Sequence, residues 1–168
     1  WGKACLEKID GIFAFAIFDR KDKKFFLVRD HLGVKPLFYT VYQNQVFFAS
    51  ELLALFGPLN PCPECSDYDL ETYFTFNYLP APQSGLKGVY QLPPGYILTV
   101  DSNGETLSSY WKPKYKIDVE PWSYELTDHF TELLSSAEKR QLVSDAPLGL
   151  FLSGGLDSSI LALLSPGS

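Results

Sequence analysis

The sequence contains no methionine and only three cysteines and two histidines among its 168 residues. Three cysteines cannot all pair, which fits a reducing compartment better than a secreted disulfide framework. No apolar run approaches the roughly 20 residues that cross a bilayer, and no charged-then-apolar signal opens the chain. Because even the first residue is not methionine, we expect an internal piece of a longer protein, with the cytoplasm as its default location.

Positive charge is also scarce, since 14 basic residues face 20 acidic ones and the formal net charge is −6. This balance argues against a nucleic-acid surface. Aromatic residues make up 15% of the chain but are spread along predicted strands and helices, so they form no base-stacking platform. Hydrophobic residues at 46% are ordinary for a globular protein, and we expect a real core.

The most informative segment lies near the end of the sequence. An apolar run at 148–152 leads into SGGLDSS at 153–159, and a second apolar run follows at 160–164. This order predicts a buried strand, a glycine turn and a helix. Glycines accept backbone angles that other residues resist, and a helix start offers unpaired N–H groups and a positive dipole end. Such a turn is typical of an anion site, and phosphate is the usual anion.

This turn differs from the two commoner phosphate motifs. It lacks the lysine of the P-loop and the three spaced glycines of the dinucleotide fingerprint, and it carries the carboxylate of Asp157 instead. A carboxylate repels a polyphosphate unless a cation lies between them, so the turn implies Mg²⁺ as well as phosphate. The alternative is an ordinary turn in which Asp157 only complements the helix dipole.

The region before residue 114 is predicted to be mainly strand. Residues 13–18 are apolar on both faces, which is typical of a central strand covered on both sides. Charged residues at 21–23 predict a turn into a strand at 24–29. The remaining expectations are a short helix at 51–56 capped by Ser50, a helix capped by Asp67, and strands near 96–100 and 106–111.

The region after residue 114 has a different pattern. Residues 122–143 predict an amphipathic helix, because apolar side chains recur from Leu126 to Ala137 at helical spacing. Pro147 ends that helix, since the residue before a proline avoids helical angles. Helix, strand, anion turn and helix together form the opening of an open α/β sheet, in which ligands bind beyond the carboxyl ends of the strands.

The segment 153–159 resembles the pyrophosphate loop of the ATP-pyrophosphatase superfamily. With Asp-Ala-Pro at 145–147 before it, the segment is most similar to the glutamine-dependent asparagine synthetases. Five upstream segments resemble the same family in the same order, and the resemblance covers nearly the whole chain. These segments are DGIFAFAIFD at 10–19, RDHLGVKPLFY at 29–39, FASEL at 48–52, YLPAP at 78–82 and LPPG at 92–95.

The resemblance implies an α/β (α+β) fold in two parts. Residues 1–113 would be the later part of a glutaminase domain, a layered β-sheet domain of the N-terminal-nucleophile type. Residues 114–168 would open a parallel α/β ATP-pyrophosphatase domain. The family hydrolyses glutamine to ammonia, converts aspartate to β-aspartyl-AMP with MgATP, and displaces AMP with the ammonia. The implied partners are therefore ATP, aspartate and glutamine, with neither nucleic acid nor membrane, and a homodimer is left open.

The resemblance also implies particular binding residues. Phe151 matches the position that contacts the adenosine, where the family usually has an aliphatic residue. Asp157 would act through Mg²⁺. The pyrophosphate part of ATP would be held by Ser153, Gly154, Gly155, Leu156, Asp157 and Ser158.

No catalytic residue is expected within this stretch. The family's glutaminase nucleophile is an N-terminal cysteine, whereas Cys5 is not terminal and lies where the family has ordinary helix, so we expect a half-buried structural cysteine. We expect the chain alone to be inactive and poorly folded, with Phe13, Phe15 and Phe26 lacking packing partners.

Three other features have competing interpretations. Cys62 and Cys65 have the spacing of half a zinc site or a redox pair, but no second pair completes a zinc site, and an ordinary loop is the favoured interpretation. Arg29 and Asp30 are expected to form an internal ion pair. His31 is expected to order its turn rather than to perform chemistry.

Two alternative functions stay open at this point. One is a related adenylating enzyme that acts on another carboxylate, such as a β-lactam synthetase or a biosynthetic amidotransferase. The other is a short, non-catalytic partner protein in which the phosphate loop is a remnant.

Overall fold

The structure is a computed structural model that describes residues 2–43, 45–59, 61–115 and 121–165. The chain divides into two compact units, Trp1–Lys114 and Tyr115–Ser168. Among the described residues, no helix combines the length and the apolar character that a membrane crossing requires.

The described part of the first unit contains seven strands, one α-helix and two 3-10 helices. The strands are β1 (Ala14–Asp19), β2 (Lys24–Arg29), β3 (Phe38–Tyr42), β4 (Gln45–Ala49), β5 (Tyr90–Gln91), β6 (Tyr96–Asp101) and β7 (Gly104–Ser109). The helix α1 spans Asp67–Phe76, and the 3-10 helices span Gly2–Lys8 and Leu52–Leu55.

The strands form two antiparallel sheets, in the orders β1-β2-β6-β7 and β4-β3-β5. The first hairpin closes as the sequence predicts, because the Asp19 carboxylate accepts hydrogen bonds from the N–H groups of Lys21 (2.9 Å) and Asp22 (3.1 Å). Strand β1 lies at an edge of its sheet, so the expectation of a central strand at 13–18 is wrong. Its Ile17 and Phe18 side chains are 49% and 58% exposed.

Two apolar clusters hold the first sheet in place. One cluster joins the two sheets, with Leu27 and Leu98 from the first sheet packed against Tyr39 from the second. The other cluster lies between the first 3-10 helix and the first sheet and is built on Leu6 and Val28. The aromatic side chains expected to lack partners pack against this second cluster, which corrects that expectation; they are Phe13, Phe15 and Phe26.

Two predicted helix starts differ from the structure. The segment expected as a helix at 51–56 is a 3-10 helix with Glu51 at its N-cap and no side-chain capping bond, so Ser50 does not cap it. Helix α1 is capped by Ser66 rather than by Asp67, because the Ser66 hydroxyl accepts a hydrogen bond from the N–H of Asp69 at 3.3 Å. Asp67 instead occupies the first helical turn, where a negative charge complements the dipole.

A buried polar network stands where an ion pair was expected. The Arg29 guanidinium is buried and donates hydrogen bonds to the carbonyl oxygens of Gly33, Lys35 and Leu92, each at 2.7 Å. The buried Asp30 carboxylate accepts bonds from backbone N–H groups of the turn that follows it, including that of Lys35 at 3.0 Å. The Arg29 guanidinium also donates to the side-chain oxygen of Gln91 at 3.0 Å, so the hydrogen bonds of the two charged side chains go to other groups rather than to each other.

The second unit contains two described helices, α2 (Tyr124–Gln141) and α3 (Leu156–Leu164). The Ser123 hydroxyl caps α2 by accepting a bond from the N–H of Leu126 at 3.1 Å. The two helices contact each other where Ser165, at the end of α3, donates a hydrogen bond to Glu138 of α2. The predicted amphipathic helix is thus confirmed, with its ends shortened by two residues.

The strand expected at 148–152 is absent from the described structure. These residues have no regular secondary structure, and their side chains are exposed. A strand needs a neighbouring backbone to accept and donate its hydrogen bonds, and no described segment pairs with this one. All described strand pairs are antiparallel, so the expected parallel sheet is not seen, whereas a mixed α+β composition is.

Candidate functional site

Six of the seven predicted binding residues lie together at the start of α3, and all of these except the half-buried Ser158 are exposed. We call residues 153–158 the serine-glycine loop. Gly154 has a φ of +80°, in the left-handed region that glycine adopts without strain. Gly155 is the N-cap of α3, with an extended backbone (φ −79°, ψ 164°). The turn and the helix start that the sequence predicts are therefore both confirmed.

Serine hydroxyl groups hold the loop together. The hydroxyl oxygens of Ser153 and Ser158 lie 3.0 Å apart, and the Ser158 hydroxyl also donates to the carbonyl oxygen of Gly155 at 3.1 Å. Ser159, which was not among the predicted site residues, donates its hydroxyl to the same carbonyl at 2.8 Å. Its position four residues after the N-cap glycine is the sequence signal that points to this bond.

The serine-glycine loop suits an anion in its geometry and its chemistry. The first N–H groups of α3 have no acceptor within the helix, and they lie at the positive end of its dipole. No atom would come within 4 Å of a Cβ placed on Gly154, so a ligand has open access to the backbone there. These features fit the phosphate groups of a nucleotide.

A metal ion at this loop would need ligands beyond the side chains of the described residues. The described residues contain no group of three or more His, Cys, Asp and Glu side chains that could hold a metal ion. Asp157 supplies one exposed carboxylate in the first turn of α3. Mg²⁺ typically binds one or two carboxylates and completes its shell with substrate phosphates and water. The donor set therefore fits Mg²⁺ bound together with a polyphosphate.

Phe151 precedes the serine-glycine loop by two residues. Its side chain is 97% exposed, so the ring is open to contact with a ligand. The backbone of residues 148–152 is irregular, and the neighbouring side chains in this stretch are also exposed and do not cover the ring.

The cysteines are all free in the structure. Cys62 and Cys65 are exposed, and Cys65 forms a single antiparallel bridge with Leu86. The loop between the cysteines is tied down by the exposed ion pair of Glu64 and Lys87 at 2.8 Å. Cys5 is half-buried and packs against the cluster built on Leu6. These positions agree with an ordinary loop and a structural cysteine.

His31 lies among aromatic rings rather than beside a reactive group. Its ring centroid is 6.1 Å from that of Phe13, 5.5 Å from that of Tyr110 and 5.2 Å from that of Trp111, all in edge arrangements. The Tyr110 hydroxyl donates to the carbonyl oxygen of Arg29 at 2.7 Å. Burial and then the charge of nearby Asp30 raise the pKa of Tyr110 to about 12. The ring contacts of His31 and the Tyr110 hydrogen bond together fix the turn after β2.

Two family models match the chain one after the other. A model described as a glutamine amidotransferase domain matches residues 1–111, and a model described as asparagine synthase matches residues 129–165. The second match contains the serine-glycine loop.

Curated relatives match the chain along nearly its whole length. Asparagine synthetase [glutamine-hydrolyzing] 3 of Bacillus subtilis is 33% identical over 99% of this chain and 27% of its own length. Asparagine synthetase [glutamine-hydrolyzing] 1 of the same organism is 34% identical over 92% of this chain and 24% of its own length. A Zea mays asparagine synthetase [glutamine-hydrolyzing] is 29% identical over 96% of this chain and 23% of its own length. The chain thus spans about a quarter of the length of these relatives.

Proposed function

This chain belongs to the glutamine amidotransferase domain family and to the asparagine synthetase family, and on that premise we propose that it is part of an ATP-dependent carbon–nitrogen ligase that makes asparagine. The overall reaction would convert aspartate, glutamine, ATP and water to asparagine, glutamate, AMP and pyrophosphate. Residues 1–113 would belong to the glutamine-hydrolysing domain and residues 114–168 to the synthetase domain.

One observation carries this proposal. The serine-glycine loop combines a left-handed glycine, a free helix start and one exposed carboxylate within the segment that matches asparagine synthase. An ordinary turn in which Asp157 complements the helix dipole also accounts for the carboxylate, and the match of this segment to asparagine synthase is what favours a bound phosphate. Phosphate with a bound cation accounts for all three features.

Each residue of the loop would have a distinct role. Backbone N–H groups from 154 to 158 would donate hydrogen bonds to the pyrophosphate part of ATP, with the hydroxyl groups of Ser153 and Ser158 as further donors. Asp157 would hold Mg²⁺ together with the phosphates. Phe151 would contact the adenosine, either through its backbone or through its exposed ring.

These contacts would act mainly on the leaving group. Transfer of AMP to the aspartate carboxylate breaks the bond between the α- and β-phosphates, and negative charge develops on the departing pyrophosphate. Bound Mg²⁺ would neutralise part of that charge. The N–H groups of the helix start are fixed before the reaction, so they stabilise the charge without reorganisation.

The test is nucleotide binding by the purified longer protein of which this chain is proposed to be part, with Asp157→Asn as the variant. We expect Asp157→Asn to weaken Mg²⁺-dependent ATP binding by about tenfold or more, because a carboxylate–cation contact is lost. Asp128→Asn is the matched control, since Asp128 is also exposed and lies on α2 outside the loop.

The acceptor is tested by pyrophosphate release. Release that depends on aspartate would support an asparagine synthetase, whereas release with another carboxylate alone would replace it with a related adenylating enzyme. Equal Mg²⁺-dependent ATP binding by wild type and Asp157→Asn would contradict the assigned role of Asp157, and no ATP binding by wild type would contradict the proposal as a whole.

A further inference from the structure

The carbonyl oxygen of Gly155 receives more hydrogen bonds than it can hold at full strength. It accepts the N–H of Ser159 at 3.1 Å, the hydroxyl of Ser159 at 2.8 Å and the hydroxyl of Ser158 at 3.1 Å. A carbonyl oxygen has two lone pairs, so one of these three donors is surplus.

The surplus donor is the hydroxyl of Ser158. Ser159 makes the shorter hydroxyl bond, and its N–H bond is part of the first turn of α3. The Ser158 hydroxyl instead divides its contacts between Gly155 and the hydroxyl of Ser153, 3.0 Å away. It can therefore turn towards a ligand without leaving the Gly155 carbonyl unsatisfied.

We infer that Ser159 is a positioning residue that frees the hydroxyl of Ser158 to bind a phosphate oxygen. The inference rests on the proposed function, because it takes the ligand at the serine-glycine loop to be ATP. Without the Ser159 hydroxyl, the Gly155 carbonyl retains the Ser158 hydroxyl as its second donor. That carbonyl would then compete with the phosphate for the single hydroxyl hydrogen of Ser158.

The experiment measures the Kd for ATP with Mg²⁺ by calorimetry on the same purified longer protein. We expect Ser159→Ala to raise the Kd about fivefold, the factor that corresponds to one ordinary hydrogen bond. Ser159→Thr should keep the wild-type Kd, since threonine makes the same bond to the carbonyl four residues back. If Ser159→Ala does not fold, the pair Ser159→Thr and Ser159→Val still differs chiefly by the hydroxyl and should show the same factor.

A matched control removes a similar bond elsewhere. The Thr131 hydroxyl in α2 donates to the carbonyl oxygen of Thr127 at 2.8 Å, so Thr131→Val deletes an equivalent helix bond away from the loop. This variant should leave the Kd unchanged. Thermal melting of all variants separates a loss of folding from a loss of affinity.

A double-mutant cycle distinguishes positioning from simple loop stabilisation. If Ser159 acts through Ser158, then adding Ser159→Ala to the Ser158→Ala variant should raise the Kd for ATP by less than about twofold. Additive losses, or a wild-type Kd in Ser159→Ala, would overturn the inference while leaving the proposed function intact. Failure of the wild-type protein to bind ATP would overturn the proposed function, and this inference with it.

Discussion

Replacing Gly154 by alanine tests whether the backbone of the serine-glycine loop matters to its ligand. A Cβ at this position meets no atom within 4 Å, so alanine causes no clash, but the φ of +80° lies where L-residues are strained. That strain costs about 1–2 kcal/mol, which corresponds to roughly 5- to 30-fold in an equilibrium constant. Because the loop is exposed, it can relax without disturbing α3, and the cost should therefore be seen in ATP affinity rather than in stability.

The assay is calorimetric titration of wild type and Gly154→Ala with ATP and Mg²⁺, together with thermal melting. We expect the Kd to rise by roughly 5- to 30-fold while the Tm moves little. Gly149→Ala is the control, because Gly149 also has open space around a Cβ but no left-handed φ. The reasoning is refuted if Gly154→Ala binds ATP as tightly as Gly149→Ala does.

Three further predictions concern the first unit. Gly95→Ala should destabilise the protein by about 1–3 kcal/mol more than Gly104→Ala in thermal melts, because both glycines have positive φ but only at Gly95 would a Cβ lie 2.6 Å from the Trp111 carbonyl oxygen. Burial opposes ionisation of Asp30, but the backbone N–H groups that bond to its carboxylate outweigh burial and lower its pKa. Stability should therefore fall as the pH drops below about 4, and Asp30→Asn should reduce that fall in pH-dependent melts. An equal fall in the variant would contradict this account. Protonated Tyr110, with its pKa raised to about 12, should add stability that is lost as pH rises from about 10 through about 12. Ultraviolet titration measures this pKa directly, and an ordinary tyrosine value of about 10 would contradict the account.

Local features of the fold could be predicted because their causes are local. The turn at 21–23 follows from Asp19 and the charged residues beside it, and the hairpin forms around this turn with Asp19 paired to Lys24. Helix α2 follows from apolar spacing over many residues. The serine-glycine loop is a contiguous motif, so its residues were certain to lie together, and only their backbone geometry needed the structure.

Features that depend on distant neighbours could not be predicted in the same way. The apolar pattern of β1 shows which faces avoid water but not which strands supply its hydrogen bonds, and the strand lies at an edge. Strand β5 has only two residues and exists because β3 pairs with it. Residues 148–152 are apolar enough for a strand, yet no described backbone pairs with them.

The polar interactions show a similar limit. Adjacent opposite charges at Arg29 and Asp30 predict an ion pair. Buried backbone groups that lack a hydrogen bond cost free energy, however, so these groups bond to the two side chains instead. The guanidinium donates to carbonyl oxygens of residues as distant as Leu92, and the carboxylate accepts from N–H groups of the following turn. The bond from Ser159 to Gly155 is local, but the sequence motif alone does not show which of its hydroxyl groups bond to the backbone.

The central claim is that the serine-glycine loop holds the pyrophosphate part of ATP, and a crystal structure of the protein with a non-hydrolysable ATP analogue and Mg²⁺ tests it most directly. The account predicts phosphate oxygens within hydrogen-bond distance of the backbone N–H groups of residues 154–158, with the metal ion beside Asp157. Phosphates bound elsewhere, with this loop left in contact with solvent alone, would contradict it.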